Sequence, residues 1–326
     1  MQWIKALTTA LAFSLPLAAN AVPEEASVQV PGPHGPLVGS LLTTSRNAAV
    51  VIIIPGSGPT DRNGNNRQIG LTPWTYKLLA QGLAEQGIAS LRIDKRGIRG
   101  SAGAAADPGR ITLDDYASDV KAWTKLMRQR LPDTPVWLLG HSQGGTVALL
   151  AAQSNADIQG LVLAASAGRR LDAVILEQLH RTPESAPLVA PASAILRRLM
   201  AGETVDIQNL PLALQLIFNR EAQAMYISEL ALDPVQLIAD TTQPTLILQG
   251  GQDLQITQVD ARLLKAGQPN AQLLILEHAN HVLKDVPAAD RQTNLATYSH
   301  PRLPLAEGLV RAVSSFIIKS GNPLTV

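Results

Sequence analysis

Short apolar runs alternating with helix-patterned segments restrict a chain to few architectures, and here they recur along most of its length. The runs at 49–54, 89–93, 136–139, 161–165, 245–249 and 273–276 are almost continuously hydrophobic and bounded by turn residues. Such strands are expected where helices cover both faces of a parallel sheet, because neither face then meets water. The segments 73–86, 113–130, 144–153, 258–266 and 305–318 carry apolar residues at helical spacing. Two more strands, 27–30 and 37–43, flank the turn "PGPHGP" and read as an opening hairpin. The fold class is therefore α/β, a mostly parallel, doubly wound sheet.

One stretch breaks the alternation. From 169 to 240 no strand is evident, only helical patches such as "LDAVILEQLH", "SAILRRLM" and "LALQLIFNREAQAMYISELAL", punctuated by prolines. These residues read as a helical cap inserted into a core made of 22–168 and 241–326. The first 21 residues read as a signal peptide. Lys5 precedes an apolar stretch from 6 to 19, and Ala19-Asn20-Ala21 forms an A-x-A cleavage site. The mature chain is then expected to start near Val22 and to be periplasmic or secreted. No later run of about 18 apolar residues predicts a stable membrane insertion after cleavage.

Composition closes several alternatives. A net charge of +1 provides no electrostatic basis for binding nucleic acid. The absence of cysteine removes disulfides, a thiol nucleophile and Cys-based zinc sites together. A hydrophobic fraction of 46% with 16% charged residues suits a packed globular core.

At "VWLLGHSQGGTVALL" a lone hydroxyl, Ser142, stands between a buried strand and a helix. The Gly-x-Ser-x-Gly pentapeptide is weak by itself, and its context strengthens it. A nucleophile elbow needs a strand, a tight strained turn and a helix, and glycines at 140 and 144 let the two backbones approach. The alternative is a plain glycine-rich turn in which the serine caps the helix.

A serine nucleophile needs a base, and the base an orienting carboxylate, in the chain order serine, acid, histidine. Of six histidines, His34 lies in the hairpin, His180 in the insertion and His300 before a proline. His141, inside the elbow, is expected to face away from the neighbouring hydroxyl. "LLILEHANHVLKD" offers His278 and His281 after the last strand, and His281 falls further out on the loop, which favours it. The acid favoured is Asp253, in the loop after the strand of "PTLILQGGQDLQIT"; its rivals are Asp240 before that strand and Asp260 on the next helix. The developing oxyanion needs N–H donors. Gln143, after the serine, supplies one, and the loop "PGSGPTDRNGNN" supplies the other from Ser57 or, second, Gly56. A glycine loop at a strand end can also cradle phosphate, but this one has neither the P-loop ending nor the dinucleotide spacing.

The pieces "IIIPGSGPTDRNGN", "LRIDKRGIRGSAG", "LLGHSQGG", "LILQGGQDLQI" and "ANHVLK" together resemble the α/β-hydrolase superfamily over nearly all of the mature length. Within it the chain is similar to bacterial esterase-like hydrolases of the group that also holds serine aminopeptidase-type and lysophospholipase-type members. The resemblance implies a triad of Ser142, Asp253 and His281, no cofactor and a small-molecule acyl substrate. It also implies that Asp94 and Arg96, in the Asp-x-Arg-Gly loop, shape the site without doing chemistry. One departure is Pro55-Gly56, where many relatives carry His-Gly. The activities implied are, in order, carboxylesterase, thioesterase and aminopeptidase. The last would need a cap carboxylate to hold an amino terminus, from Glu177, Glu203, Asp206, Glu221 or Glu229. A noncatalytic binding protein of the same fold is the alternative from another class. "DRNGNN", at 61–66, reads as a polar loop.

Overall fold

The computed structural model describes residues 23–286 and 290–321. The expected signal peptide and the expected mature start lie outside the described residues. The opening hairpin pairs β1 (Glu24–Pro31) with β2 (Pro36–Thr43), and its turn is closed by the Gly32 N–H donating to the Gly35 carbonyl at 3.0 Å. Then follow β3 (Val50–Ile54), α1 (Thr75–Glu85), β4 (Ala89–Ile93), α2 (Leu113–Arg130), β5 (Val136–His141), α3 (Gln143–Ala152) and β6 (Ile158–Ala164). Five helices come next: α4 (Leu171–His180), α5 (Val189–Met200), α6 (Leu212–Ile217), α7 (Arg220–Leu230) and α8 (Pro234–Ala239). The chain returns through β7 (Thr245–Gly250), α9 (Gln258–Gly267), β8 (Gln272–Leu276), α10 (Arg291–Ala296) and α11 (Leu309–Gly321).

The eight strands form one sheet in the order β1-β2-β4-β3-β5-β6-β7-β8, antiparallel through β2–β4 and parallel from β4 to β8. The period of two along each strand divides the core. Val50, Ile52, Ile54, Val136 and Leu138 join α2, α3 and α9 on one face, while Val51, Ile53, Trp137 and Leu139 join α1 and α11 on the other. Each large apolar side chain removed from water in this way contributes about 1.5–3 kcal/mol. Trp137 is fully buried and meets Phe316 of α11 edge-on at 5.7 Å.

Two boundaries differ from expectation for local reasons. The helical patch from 212 to 232 is two helices, because the Asn219 side chain accepts the Ala222 N–H and caps α7. The last helix begins at Leu309 rather than near 305. Gly308 has φ 81°, a left-handed conformation outside the helical range, and the Ala306 N–H is committed to the Leu283 carbonyl at 2.8 Å. Of the helices between β6 and β7, α4 to α7 pack around their own apolar cluster, with Phe218, Leu214 and Leu199 fully buried, whereas Ile238 of α8 joins the core on the sheet.

The junction of β5 and α3 depends on close backbone approach. A Cβ at Gly140 would overlap the Gly144 carbonyl, and one at Gly144 would overlap the Ile54 carbonyl of β3. Gly140→Ala is therefore expected to cost about 3 kcal/mol. Urea denaturation reads this as a lowered midpoint, and an unchanged midpoint would mean that the two backbones are not in contact.

Candidate active site

Ser142 has φ 54° and ψ −125°, a conformation that is strained for a residue with a side chain. The turn is held on both sides: the Ser142 N–H donates to the Ala164 carbonyl of β6 at 2.9 Å, and the Gly145 N–H donates to the Ser142 carbonyl at 2.9 Å. Ser142 and Gln143 both line a cavity of about 750 Å³ between the sheet end and the inserted helices. Its lining is mixed: Val174 and Ile175 from α4, Ile217 from α6, and Met225 and Tyr226 from α7 supply apolar walls, beside polar groups that include Lys95, Thr146 and Glu229.

Asp253 and His281 are joined directly. His281 Nδ1 lies 2.8 Å from Asp253 Oδ2, and both side chains are buried. Because the carboxylate can only accept, Nδ1 carries the proton and Nε2 is left with a lone pair when the ring is neutral. Asp253 is a turn aspartate as well as the partner of a histidine. Its Oδ1 accepts the N–H groups of Gln255 at 2.7 Å and Ile256 at 2.9 Å, while Oδ2 also receives Gln249 Nε2 at 3.2 Å. The two roles use different oxygens and so reinforce one another. His281 itself rides on a tight turn in which the Asn280 N–H donates to the Lys284 carbonyl at 2.9 Å, the Lys284 N–H donates to Asn280 Oδ1 at 3.1 Å, and Leu283 adopts φ 60°. Among the described residues, no hydrogen bond engages His281 Nε2 or the Ser142 hydroxyl. Hydrogen bonds of that kind commonly tighten only when substrate is bound.

The rival side chains are placed elsewhere. His278 is exposed, Asp240 is exposed just past α8, and Asp260 is fully buried in an ion pair with Arg169 at 2.7 Å. His141 is buried, with its ring centroid 4.9 Å from that of His281.

The loop after β3 approaches the serine closely: a Cβ on Gly56 would stand 3.3 Å from Ser142 Cβ. The Gly56 N–H, second of the two expected loop donors, is occupied, since it donates to Tyr76 Oη at 3.0 Å. Among the described residues, the N–H groups of Ser57 and Gln143 have no hydrogen-bond partner, and both residues line the cavity. Asp94 accepts the N–H of Arg62 at 2.9 Å and of Gly100 at 3.1 Å, and Arg96 pins α2 through Asp115 and Asp119. Asp61, in "DRNGNN", folds its own loop by accepting the N–H groups of Asn63 and Asn65 at 2.9 Å each.

Three charged residues at the cavity have no distinguishing signal in the sequence: Lys95, Glu229 and Glu221, the last of them exposed. Lys95, between Asp94 and Arg96, is buried and donates to the carbonyls of Gly56 at 2.5 Å and Gly58 at 2.7 Å, holding the loop from beneath. Glu229 of α7 was one of five cap carboxylates with no reason to prefer it. In the structure it is buried and accepts Gln143 Nε2 at 2.7 Å. Glu177 is instead paired with Arg169 and Arg181, Glu203 with Arg198, and Asp206 caps a turn. Burial pushes the Lys95 ammonium down to about 7 against the opposing pull of Glu229. It pushes the Glu229 carboxyl up to about 7 against Gln143 and Lys95. Among the described residues, no group of three or more His, Cys, Asp or Glu side chains is placed to hold a metal ion.

The sequence model of a family described as serine aminopeptidase, S33, matches residues 70–284. Esterase EstD of Thermotoga maritima is 29% identical over 244 residues, which are 72% of this chain and 54% of that protein. The chain thus spans about half the length of this curated relative. Among solved structures, Est1E of Butyrivibrio proteoclasticus with ferulic acid bound is 18% identical with a TM-score of 0.56, covering 90% of this chain and 98% of that one. An esterase of Pyrococcus furiosus is 17% identical with a TM-score of 0.56 over 91% of each chain. An α/β serine hydrolase of Xanthomonas campestris, described as without lid, is 18% identical with a TM-score of 0.52, over 93% of this chain and 97% of that one. At such identities the likeness is one of fold, and the shared fold is the α/β-hydrolase fold.

The buried carboxyl of Glu229 makes stability depend on pH. A carboxyl whose folded pKa lies above its unfolded value contributes stability that is fully present below the unfolded pKa and is lost as pH rises through the folded one. For Glu229 the window runs from 4.5 to about 7. Glu229→Gln removes that loss, so its stability relative to wild type is expected to rise by on the order of 2–3 kcal/mol across the window. Urea midpoints measured at the two ends of the window test this, and a constant difference would refute it.

Proposed function

Because the chain belongs to the serine aminopeptidase S33 family, within the α/β-hydrolase fold, we propose that it hydrolyses carboxylic esters through Ser142, His281 and Asp253. The observation that carries this is the buried 2.8 Å pair of Asp253 and His281 at the same end of the sheet as a strained serine that lines a cavity. In the proposed reaction His281 Nε2 takes the Ser142 proton as the oxygen attacks the acyl carbonyl, and Asp253 holds the imidazole in the required tautomer and stabilises its charged form. The N–H groups of Gln143 and Ser57 receive the oxyanion. The protonated imidazole then gives its proton to the leaving alcohol, and water resolves the acyl-enzyme by the same steps in reverse order.

The apolar walls favour a hydrophobic acyl or alcohol group. Two of these relatives are named esterases, which supports an ester over a thioester. One observation favours a second reading, an aminopeptidase: Glu229 places a carboxyl in the cavity beside the serine's neighbour, where a substrate ammonium could be held. Its existing contacts with Gln143 and the Lys95 charge rank that reading second. The five helices between β6 and β7 are proposed to act as the cap that selects substrate.

Ser142→Ala is expected to lower the turnover of a short p-nitrophenyl ester at least about 1,000-fold. Retention of wild-type turnover would remove the assignment. Thioester and aminoacyl-arylamide substrates assayed beside the ester separate the three activities. A folded wild-type sample that fails to react with a fluorophosphonate probe would favour the noncatalytic binding protein. Residues 1–21 are proposed as a cleaved export signal that delivers the enzyme to the periplasm or the medium. Mass spectrometry of the exported chain is then expected to find Val22 at its start, and a chain still carrying those residues would count against export.

A further inference from the structure

The loop that carries Ser57 and the loop that carries His281 follow β3 and β8, and β5, β6 and β7 stand between those strands in the sheet. No backbone ladder therefore joins them, although catalysis as proposed above requires them to hold one spacing.

A line of buried hydrogen bonds joins them instead. The Gly56 N–H donates to Tyr76 Oη at 3.0 Å, Tyr76 Oη lies 2.9 Å from His141 Nδ1, and His141 Nε2 lies 2.7 Å from the His281 carbonyl oxygen. The proton positions follow from chemistry. A carbonyl only accepts, so Nε2 bears the hydrogen. Burial, with the neighbouring His281 adding to it, pushes the His141 pKa down to about 3, so the ring is neutral and Nδ1 accepts. The Tyr76 hydroxyl must then donate to Nδ1, which leaves its oxygen free to receive Gly56.

Tyr76 sits at the start of α1, and that helix start is itself fixed. The Thr75 hydroxyl donates to the Val282 carbonyl at 2.8 Å, a second tie to the histidine loop. The Tyr76 N–H donates to the Asn63 carbonyl at 3.2 Å, and the Trp74 N–H to Asn65 Oδ1 at 3.1 Å. The polar knot of "DRNGNN", with Asp61 and Asn65 buried, thus anchors the tyrosine.

We propose that Tyr76 and His141 are positioning residues that lock the oxyanion loop to the loop of the catalytic histidine. The role rests on the assignment of Ser57 and His281 made above. Neither side chain hydrogen-bonds to the Ser142 hydroxyl or to His281 Nε2, although the His141 ring packs beside that of His281. Each acts by fixing a backbone group next to one that takes part in the reaction.

Tyr76→Phe keeps the ring and removes only the hydroxyl, so Gly56 N–H and His141 Nδ1 lose their partner together. The expected result is a kcat lowered about 10- to 100-fold with KM within about twofold of wild type. The inhibition constant of a trifluoromethyl ketone transition-state analogue should rise in proportion to the loss in kcat/KM, while affinity for the carboxylate product is unchanged. His141→Gln, which keeps an N–H able to reach the His281 carbonyl, should retain more activity than His141→Leu. Combining Tyr76→Phe with His141→Leu should add little to the worse single variant, because the two act as a unit. If His141→Leu does not fold, the kinetics of Tyr76→Phe decide alone. A Tyr76→Phe enzyme with kcat within twofold of wild type, beside an inert Ser142→Ala, would overturn the positioning role and leave the triad standing. A lowered melting temperature with analogue affinity unmoved would also overturn it. Turnover retained by Ser142→Ala would remove the triad on which the proposal stands.

Discussion

Two backbones touch where β5 ends and α3 begins, and the functional end of the molecule is arranged around that contact. Gly140 and Gly144 allow it because any side chain at either position would overlap a carbonyl. The contact makes the turn short enough to force Ser142 into a positive φ, and the bonds to Ala164 and Gly145 keep it there. Since β5 lies between β3 and β6, the serine stands near the middle of the sheet end. The loop after β3 reaches it from one side, and the loops after β7 and β8 close from the other. A central strand buried at all six positions gives this arrangement a rigid base.

The sheet end also buries several polar and charged side chains. Lys95, His141, Glu229, Asp253 and His281 are all nearly excluded from water. Buried polar groups are costly unless paired, and each of these has a partner: carbonyls for Lys95, a tyrosine and a carbonyl for His141, an amide for Glu229, a carboxylate for His281. Three of these partners, the carbonyls of Gly56, Gly58 and His281, are backbone groups of the neighbouring functional loops. Bonds that satisfy the buried groups therefore also help to fix the loops.

The sheet and its flanking helices were legible in the sequence because burial on two faces leaves a hydrophobic run whatever the partner strand is. The elbow was legible because its requirements are local: a strand, glycines two residues to either side of a serine, and a helix. Asp253 and His281 could be found by their position after strands. Tyr76 and Lys95 carry no such signal, and Glu229 is legible only as one of five cap carboxylates. Tyr76 reads as an ordinary core residue of an amphipathic helix, and it is one, apart from its hydroxyl. Lys95 sits in a motif whose neighbours draw attention for their own ion pairs. Glu229 shares its helix surface pattern with carboxylates that are merely paired or solvated. His141 was set aside on the ground that it faces away from the serine hydroxyl, and its bonds run instead to Tyr76 and the His281 backbone.

The order of strands and helices, the strained serine and the placement of Asp253 and His281 in loops after strands follow from local pattern, because periodicity and turn chemistry act between residues a few positions apart. Which N–H of the oxyanion loop stays free, and how that loop is spaced from the histidine, were decided only by tertiary structure. Those choices depend on hydrogen bonds between Gly56, Tyr76, His141 and His281, groups far apart in the chain. A hydrogen bond is set by distance and direction in space, and neither is written in the spacing of residues along a sequence.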